Sequence, residues 1–398
     1  MIACAILCRR LRTARSNAWS RTRGMLSVPL LLALGACSGP ATSQGPGPLA
    51  VPTDTASLYL VPASLSDGWQ VGDLRKTSVD TAIVISGIRE MEDGTIPDMN
   101  SLLVIQHGVL WVDQYFNGYG VNDPHPLYSV TKSVFSTVYG IAQDSGLVSV
   151  DEHVYDDYPG YRSMPGWDPR KDSMTVGMIL SMTSGYDCND IATGNNPTCG
   201  YHMTQSTDWL DYCLKLPLDS APGLVWEYNG SSLVLLSNLI ATRSGRSFQA
   251  FSDENLFNIL GISGSTWKTG PGGLAKVDEG LSWKPRDMAK LGYLYLENGV
   301  WNGTQVLSSR WIALATTSHA PAGSAWGDDY GYLWYVTKMP WAGKIIPVFY
   351  ADGMDGQLIF VAPAADLVCV MTASSTDPSI LATENAFFRQ VILSAFDS

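Results

Sequence analysis

The chain has 398 residues, 45% of them hydrophobic, and a formal net charge of −12. This length and apolar content support a real core, in one large or two intimately joined domains, and no repeat or heptad pattern is present. The acidic balance argues against nucleic acid and anionic surfaces as partners.

Residues 1–36 hold six arginines (Arg9, Arg10, Arg12, Arg15, Arg21, Arg23) and no acidic residue. Residues 25–36 then form a mostly apolar run, shorter than the roughly 20 residues a membrane span needs. The run ends Leu34-Gly35-Ala36-Cys37-Ser38, which resembles a bacterial lipobox. The expectation is a lipoprotein signal peptide over 1–36 and a lipid on Cys37, which would anchor an exported protein in the periplasm. An ordinary secretory signal cleaved nearby is the alternative. Residues 37–55, rich in Ser, Gly, Pro, Thr and Ala, read as a flexible tether. Loss of the six leader arginines would take the charge from −12 to −18.

Strands are expected near 81–86, 101–106 and 109–116. Next comes Ser129-Val130-Thr131-Lys132. Val134, Val138, Ile141 and Ala142 follow at i, i+4, i+7, i+8, one apolar helix face, and Gly146 is placed to end that helix. Of the 10 lysines, only Lys132 and Lys268 have a serine three residues earlier. The stretch after Ser265, Thr-Trp-Lys-Thr-Gly-Pro-Gly-Gly, cannot sustain a helix, so only Ser129 and Lys132 can hold a hydroxyl against an amine one turn along. A serine hydroxyl becomes a strong nucleophile when a base takes its proton. A lysine serves as that base only when neutral, which requires burial or a nearby cation to lower its pKa from about 10.4. At a helix N-terminus the serine's own N–H is unpaired and can form half of an oxyanion hole. The plain alternative is a capping serine beside a surface lysine.

Residues 151–270 read as rich in helix and loop. Cys188 and Cys199 flank a Gly/Asn/Pro-rich loop, and a disulfide between them suits an oxidising compartment, with Cys213 and Cys369 as buried single thiols. Pro222-Gly223 turns the chain into Trp226-Glu227-Tyr228-Asn229-Gly230, and Leu233, Leu235, Leu236, Leu239 and Ile240 then repeat as a helix face. A helix near 286–297 and strands near 332–337, 345–350, 357–362 and 367–373 finish the chain. Asp352-Gly353-Met354-Asp355-Gly356-Gln357 reads as a glycine-rich strand start that a ligand can approach. The pattern is an α/β (α+β) protein: a discontinuous domain from 56–150 and 271–398, with a helix-rich insertion over 151–270. The site is expected between them, lined from the insertion by 175–180 and Met182-Thr183. There is no G-x-S-x-G elbow, no histidine pair at zinc-ligand spacing and no phosphate-binding glycine motif, so neither metal nor organic cofactor is expected.

Ser-x-x-Lys, then Tyr, then a glycine-rich C-terminal strand resembles the serine β-lactamase and penicillin-binding protein superfamily. The nearest branch is the β-lactamase-related serine hydrolases: family VIII carboxylesterases, class C β-lactamases and 6-aminohexanoate-dimer hydrolases. Further ordered matches are Met99-Asn100-Ser101-Leu102-Leu103-Val104 with His107-Gly108, Met182-Thr183-Ser184-Gly185, Arg286-Asp287-Met288-Ala289-Lys290-Leu291-Gly292 and Tyr330-Gly331-Tyr332-Leu333-Trp334. The resemblance implies a serine β-lactamase-like fold, with an antiparallel sheet flanked by helices. It implies Ser129 as acylated nucleophile, Lys132 as its amine partner and Tyr228 as proton shuttle. The oxyanion hole would be the Ser129 amide with that of Gln357, and Gly230, Gly353, Met354, Asp355 and Gly356 would border the substrate.

The chain departs from the penicillin-directed pattern at Gly230, where asparagine is usual, and at Met354, where a cation opens the C-terminal triad. The literal Lys268-Thr269-Gly270 reads as a loop away from the site. These departures favour a small neutral ester or amide substrate, handled by a monomer. A β-lactamase or D-Ala peptidase is the alternative within the family, and a catalytically silent envelope binding protein the alternative outside enzymes.

Overall fold

The computed structural model describes residues 58–191, 198–322 and 328–396. The expected leader, Cys37 and the 37–55 tether lie outside the described residues.

Strand β2 (Met99–Gln106) is buried at all eight positions, the pattern of a strand covered on both faces. Its partner β3 (Val109–Tyr115) alternates between buried and half-buried positions. With β1 (Gln70–Val71), β4 (Ala320–Pro321), β5 (Asp329–Tyr330), β6 (Tyr335–Trp341), β7 (Lys344–Gly353), β8 (Gln357–Ala362) and β9 (Leu367–Ala373) they form one nine-stranded sheet. Its order is β1-β3-β2-β9-β8-β7-β6-β5-β4, so the chain's two ends meet at the β2–β9 pair. Every pairing is antiparallel except β1 with β3, which is parallel and makes the sheet mixed at one edge.

Alternate residues of the central strands feed two cores. Leu103, Ile105, Ile359, Val361, Val368 and Val370 pack with Val134 and Val138 of α2 (Val130–Asp144) and with Leu291 and Leu294 of α4 (Pro285–Leu296). On the other face Leu102, Val104, Leu358, Phe360, Cys369 and Met371 meet Val84 and Ile88 of α1 (Thr81–Glu92) and Phe387 of α5 (Ile380–Phe387). Each such side chain contributes about 1.5–3 kcal/mol on leaving water. The segment between α2 and α4 runs through short helices and turns to α3 (Leu233–Ser244), and its apolar residues join the α2 side core.

The strand expected near 81–86 is instead the first half of α1. Asp80 Oδ1 accepts from the Ala82 and Ile83 amides, closing the helix N-terminus. Val84, Ile85, Ile88 and Met91 then recur at helical spacing on the buried side. A six-residue window of β-branched side chains hid that longer period. The strand expected near 332–337 begins only at Tyr335. Tyr332 and Leu333 leave the sheet to accept hydrogen bonds from Ser136 Oγ and Ser133 Oγ of α2, both at 2.7 Å. Helix α2 is thereby fixed to the sheet edge through its own hydroxyls.

Arg286, at the start of α4, is 3% exposed. It donates to Asp113 on β3 at 2.7 Å, to Asp67 at 2.8 Å and to the Ala63 carbonyl at 2.8 Å. The Arg-Asp-x-Ala segment therefore acts here as a clasp between α4, β3 and the segment that holds Ala63 and Asp67. Arg286→Met should destabilise the protein by about 3–5 kcal/mol, because Asp113 is left buried without its counter-charge. A urea denaturation series checks this. The double variant Arg286→Met/Asp113→Leu should recover part of the loss.

Candidate active site

The sequence around Ser129 is held from both sides before any side chain is considered. His125-Pro126 pairs with Leu281–Trp283, which also pairs with Thr266–Trp267, and the Leu127 amide donates to the Leu281 carbonyl. Tyr128 is forced to φ 44, the left-handed region that a non-glycine residue avoids. The turn leaves Ser129 as the residue that opens α2, partly exposed and with no capping bond from its own side chain. Its hydroxyl is thus free for another role.

Lys132, one turn along, is 3% exposed. Its Nζ lies 2.9 Å from Ser129 Oγ and donates to the Asp278 backbone carbonyl at 2.8 Å. Burial lowers its pKa from the ordinary lysine value, against the opposing pull of Asp278, Asp190, Glu279 and Asp352. Tyr228 completes the group. Lys132 Nζ stands 4.8 Å from its ring centroid, and its phenol reaches Ser129. Burial drives the phenol's pKa far up, so it stays protonated.

Gly230 explains itself sterically. A Cβ there would stand 2.6 Å from Lys132 Cε and 2.9 Å from Asp278 Cβ. Asn229, one position earlier, is buried; its Oδ1 accepts from the Ser232 amide at the start of α3. An asparagine side chain at 230 would occupy the space that holds the lysine.

The β7–β8 hairpin approaches from the third side. A Cβ at Gly353 would come 2.4 Å from the Leu127 carbonyl oxygen and 3.3 Å from the Ser129 amide nitrogen, so this strand end abuts the nucleophile's N–H. The strand residues beside Ser129 are therefore Gly353 and the preceding Asp352, ahead of the Met354-Asp355-Gly356 that the resemblance placed there. The latter is the hairpin turn, with Asp355 at φ 62 and Gly356 at φ 86. Met354 is exposed and lines the cavity. Asp355 binds back to the Tyr128 phenol. Gly356 packs toward Ala373 and Glu384, away from Ser129. Gln357 pairs with Gly353 across the hairpin but is outside the cavity wall, and its Nε2 donates to the Ala373 carbonyl at 2.6 Å.

These elements enclose a cavity of about 560 Å³. Ser129, Lys132, Tyr228, Tyr335, Asp352 and Met354 line it from the sheet side, and Lys276, Asp278 and Glu279 from the loop before Leu281–Trp283. Asp190, Ile191, Thr198, Gly200, Tyr201 and Thr204 line it from the insertion. Residues 175–180 and Met182-Thr183 do not reach it. They lie behind Tyr228, where the Met182 carbonyl accepts from the Glu227 amide and the Thr183 carbonyl from that of Gly223. Cys188 and Cys199 are joined by a disulfide, which pins the start of the helix Cys199–Gln205 beside the cavity, while Cys213 and Cys369 are buried free thiols. Lys268 is exposed, with its Nζ 5.8 Å from the Tyr128 ring centroid, and does not line the cavity.

Sequence reasoning missed the charged lining residues Asp190, Lys276, Asp278, Glu279 and Asp352. The Asp190 carboxylate accepts from the Gly200, Gly230 and Ser231 amides, tying the disulfide loop to the Tyr228 segment. Lys276 is matched by Asp278 at 3.1 Å and Glu279 at 3.2 Å. The only readable signal was the turn composition Lys-Val-Asp-Glu-Gly; nothing in it marks a backbone carbonyl as a lysine's partner.

Residues 88–392 match the Beta-lactamase family. A 6-aminohexanoate-dimer hydrolase of Paenarthrobacter ureafaciens is 23% identical over 299 residues, spanning 70% of this chain and 73% of that protein. Among solved structures, EstCE1, a hydrolase with promiscuous acyltransferase activity, superposes with a TM-score of 0.62 at 14% identity, covering 79% of this chain and 97% of its own. The octameric penicillin-binding protein homologue from Pyrococcus abyssi gives 0.59 at 18% identity over 77% of each chain.

Proposed function

The chain belongs to the beta-lactamase family and is a hydrolase, and on that premise we propose that Ser129 attacks the carbonyl of a small ester or amide and becomes acylated. Lys132 takes the hydroxyl proton as Oγ bonds to the carbonyl carbon. The oxyanion is received by the Ser129 amide and by the backbone at Gly353-Met354, the hairpin segment that abuts it, in place of Gln357. Tyr228, within reach of both Ser129 and Lys132, passes the proton to the leaving alcohol or amine. In the second half a water is deprotonated along the same route and releases the acid. The observation that carries this reading is the buried Lys132 amine, 2.9 Å from Ser129 Oγ and fixed by a backbone carbonyl instead of a carboxylate. A fluorophosphonate should label the wild type and leave Ser129→Ala unlabelled. Absence of labelling in the wild type would favour a silent binding protein.

The substrate side of the proposal follows from charge. Asp190, Asp278, Glu279 and Asp352 line the cavity, and Lys276 is already paired with two of them. Among the described residues, no unpaired cation lines the cavity to hold the carboxylate of a penicillin or of D-alanine. A lost charge-assisted hydrogen bond costs roughly 1.5–3 kcal/mol, or about 10- to 150-fold. Nitrophenyl butyrate should therefore exceed nitrocefin in kcat/KM by at least about tenfold for one preparation. A higher value for nitrocefin would reverse the assignment.

We also propose that residues 1–36 are a lipoprotein signal, that Cys37 carries the anchor and that a monomer acts in the periplasm. The support is the lipobox-like Leu34-Gly35-Ala36-Cys37 and the disulfide of the oxidised fold. Metabolic labelling with a fatty-acid analogue should tag the wild type and not Cys37→Ser. Light scattering of the released domain reports its assembly.

A further inference from the structure

Of the acids that line the cavity, three are already engaged: Asp190 by backbone amides, Asp278 and Glu279 by Lys276. Asp352 is not. It sits on β7 immediately before the Gly353 that abuts Ser129, it lines the cavity, and among the described residues no donor lies within hydrogen-bond distance of its carboxylate. We propose that Asp352 selects the substrate by holding a cationic group on it, an alkylammonium, while Ser129 works on the carbonyl. This rests on the hydrolase reading above and adds the substrate class.

The surroundings suit that ligand. Asp352 is faced by Lys132 from α2, by Tyr228, by Tyr330 and Tyr335 from β5 and β6, by Tyr350 from its own strand and by Glu384 from α5. Of these tyrosines, Tyr228 and Tyr335 line the cavity with Asp352, while Tyr330 and Tyr350 are buried against Tyr335, edge-on at 4.9 Å and stacked at 5.1 Å. Aromatic faces beside a carboxylate attract ammonium groups and offer nothing to anions. Among the described residues Lys132 is the one basic neighbour, and burial favours the neutral form that its proposed role as base requires. Glu384 is fully buried and pushed well up by that burial, so it stays neutral.

Burial raises the Asp352 carboxyl to about 7, with Lys132 opposing. Its charge, and with it the hold on a cation, is therefore present above that value and lost as pH falls through it. An alkylammonium keeps its own proton to about pH 10. The predicted preference thus strengthens from pH 6 to pH 8.

Calorimetric titration of the whole protein with hexylammonium, hexan-1-ol and hexanoate, at pH 6 and pH 8, tests this without relying on turnover. Hexylammonium should bind at least about tenfold more tightly than either competitor at pH 8. The advantage should shrink at pH 6 and vanish in Asp352→Asn. Equal or tighter binding of hexan-1-ol or hexanoate at pH 8 would overturn the proposal, as would an ammonium preference that survives Asp352→Asn. If that variant does not fold, the two-pH comparison on the wild type decides alone. Nitrophenyl butyrate turnover, measured in parallel, reports on the hydrolase reading separately. Turnover without an ammonium preference removes only the present inference, and the preference without turnover removes only the hydrolase.

Discussion

Lys132→Ala lowers kcat on a short nitrophenyl ester by about 10²- to 10⁴-fold, the range that positioned acid–base groups supply. The structure gives the reason in two distances: the amine is 2.9 Å from Ser129 Oγ, and the Asp278 carbonyl 2.8 Å away holds it there. A carbonyl fixes the amine without supplying a full counter-charge, so burial can dominate and lower the pKa. In the proposed mechanism the working form is the neutral amine, so the wild-type rate should rise with pH as Lys132 loses its proton. It should level off below the region near 10.4 where an ordinary lysine titrates. Tyr228→Phe should fall in the same range while keeping fluorophosphonate labelling measurable. If both variants retained wild-type kcat, Ser129 would need another base.

The second large effect is expected from Gly230→Asn, the change that would restore the residue common in penicillin-directed relatives. Its Cβ would lie 2.6 Å from Lys132 Cε and 2.9 Å from Asp278 Cβ, well inside van der Waals contact. Asp278 is tied to Lys276, and Lys132 is enclosed, so the amine must shift by on the order of 1 Å. A displacement of that size can cost about 10²-fold in rate. The check is kcat/KM on nitrophenyl butyrate beside nitrocefin. The substitution should depress both substrates and not convert one specificity into the other. A gain on nitrocefin would mean that the cavity adapts around the new side chain.

The parts of the site that were legible in the sequence are those fixed by local geometry. Ser129 and Lys132 are one helical turn apart, and the apolar face after them is a periodic signal, so their meeting needed no knowledge of the rest of the chain. Tyr228 was readable only through its place in an ordered set of motifs. What stayed hidden depends on pairings between distant segments. Asp278 meets Lys132 through a backbone carbonyl, a group every residue carries. Asp352 was counted as one member of a glycine-rich strand start, without a role of its own, because the register of β7 against Ser129 is set by sheet packing. The resulting three-position error in the triad put Gly356 where the structure has Gly353. The reading of α1 as a strand failed because Asp80 supplies the helix cap and the apolar period shows only across 84–91.

The negative lining of the cavity also bears on the end of the catalytic cycle. Hydrolysis of an ester or amide converts a neutral carbonyl group into an acid that ionises near pH 4 to 5 and leaves as an anion at neutral pH. The anion forms within a wall that carries Asp190, Asp278, Glu279 and Asp352, against Lys276 and a Lys132 whose burial favours the uncharged amine. Like charges confined in a cleft of low polarisability repel more strongly than in water. The walls therefore oppose retention of the acid half of the reaction once it ionises, and this clearing works only in one direction, since a precursor whose acyl group is still an ester or amide enters without that opposition.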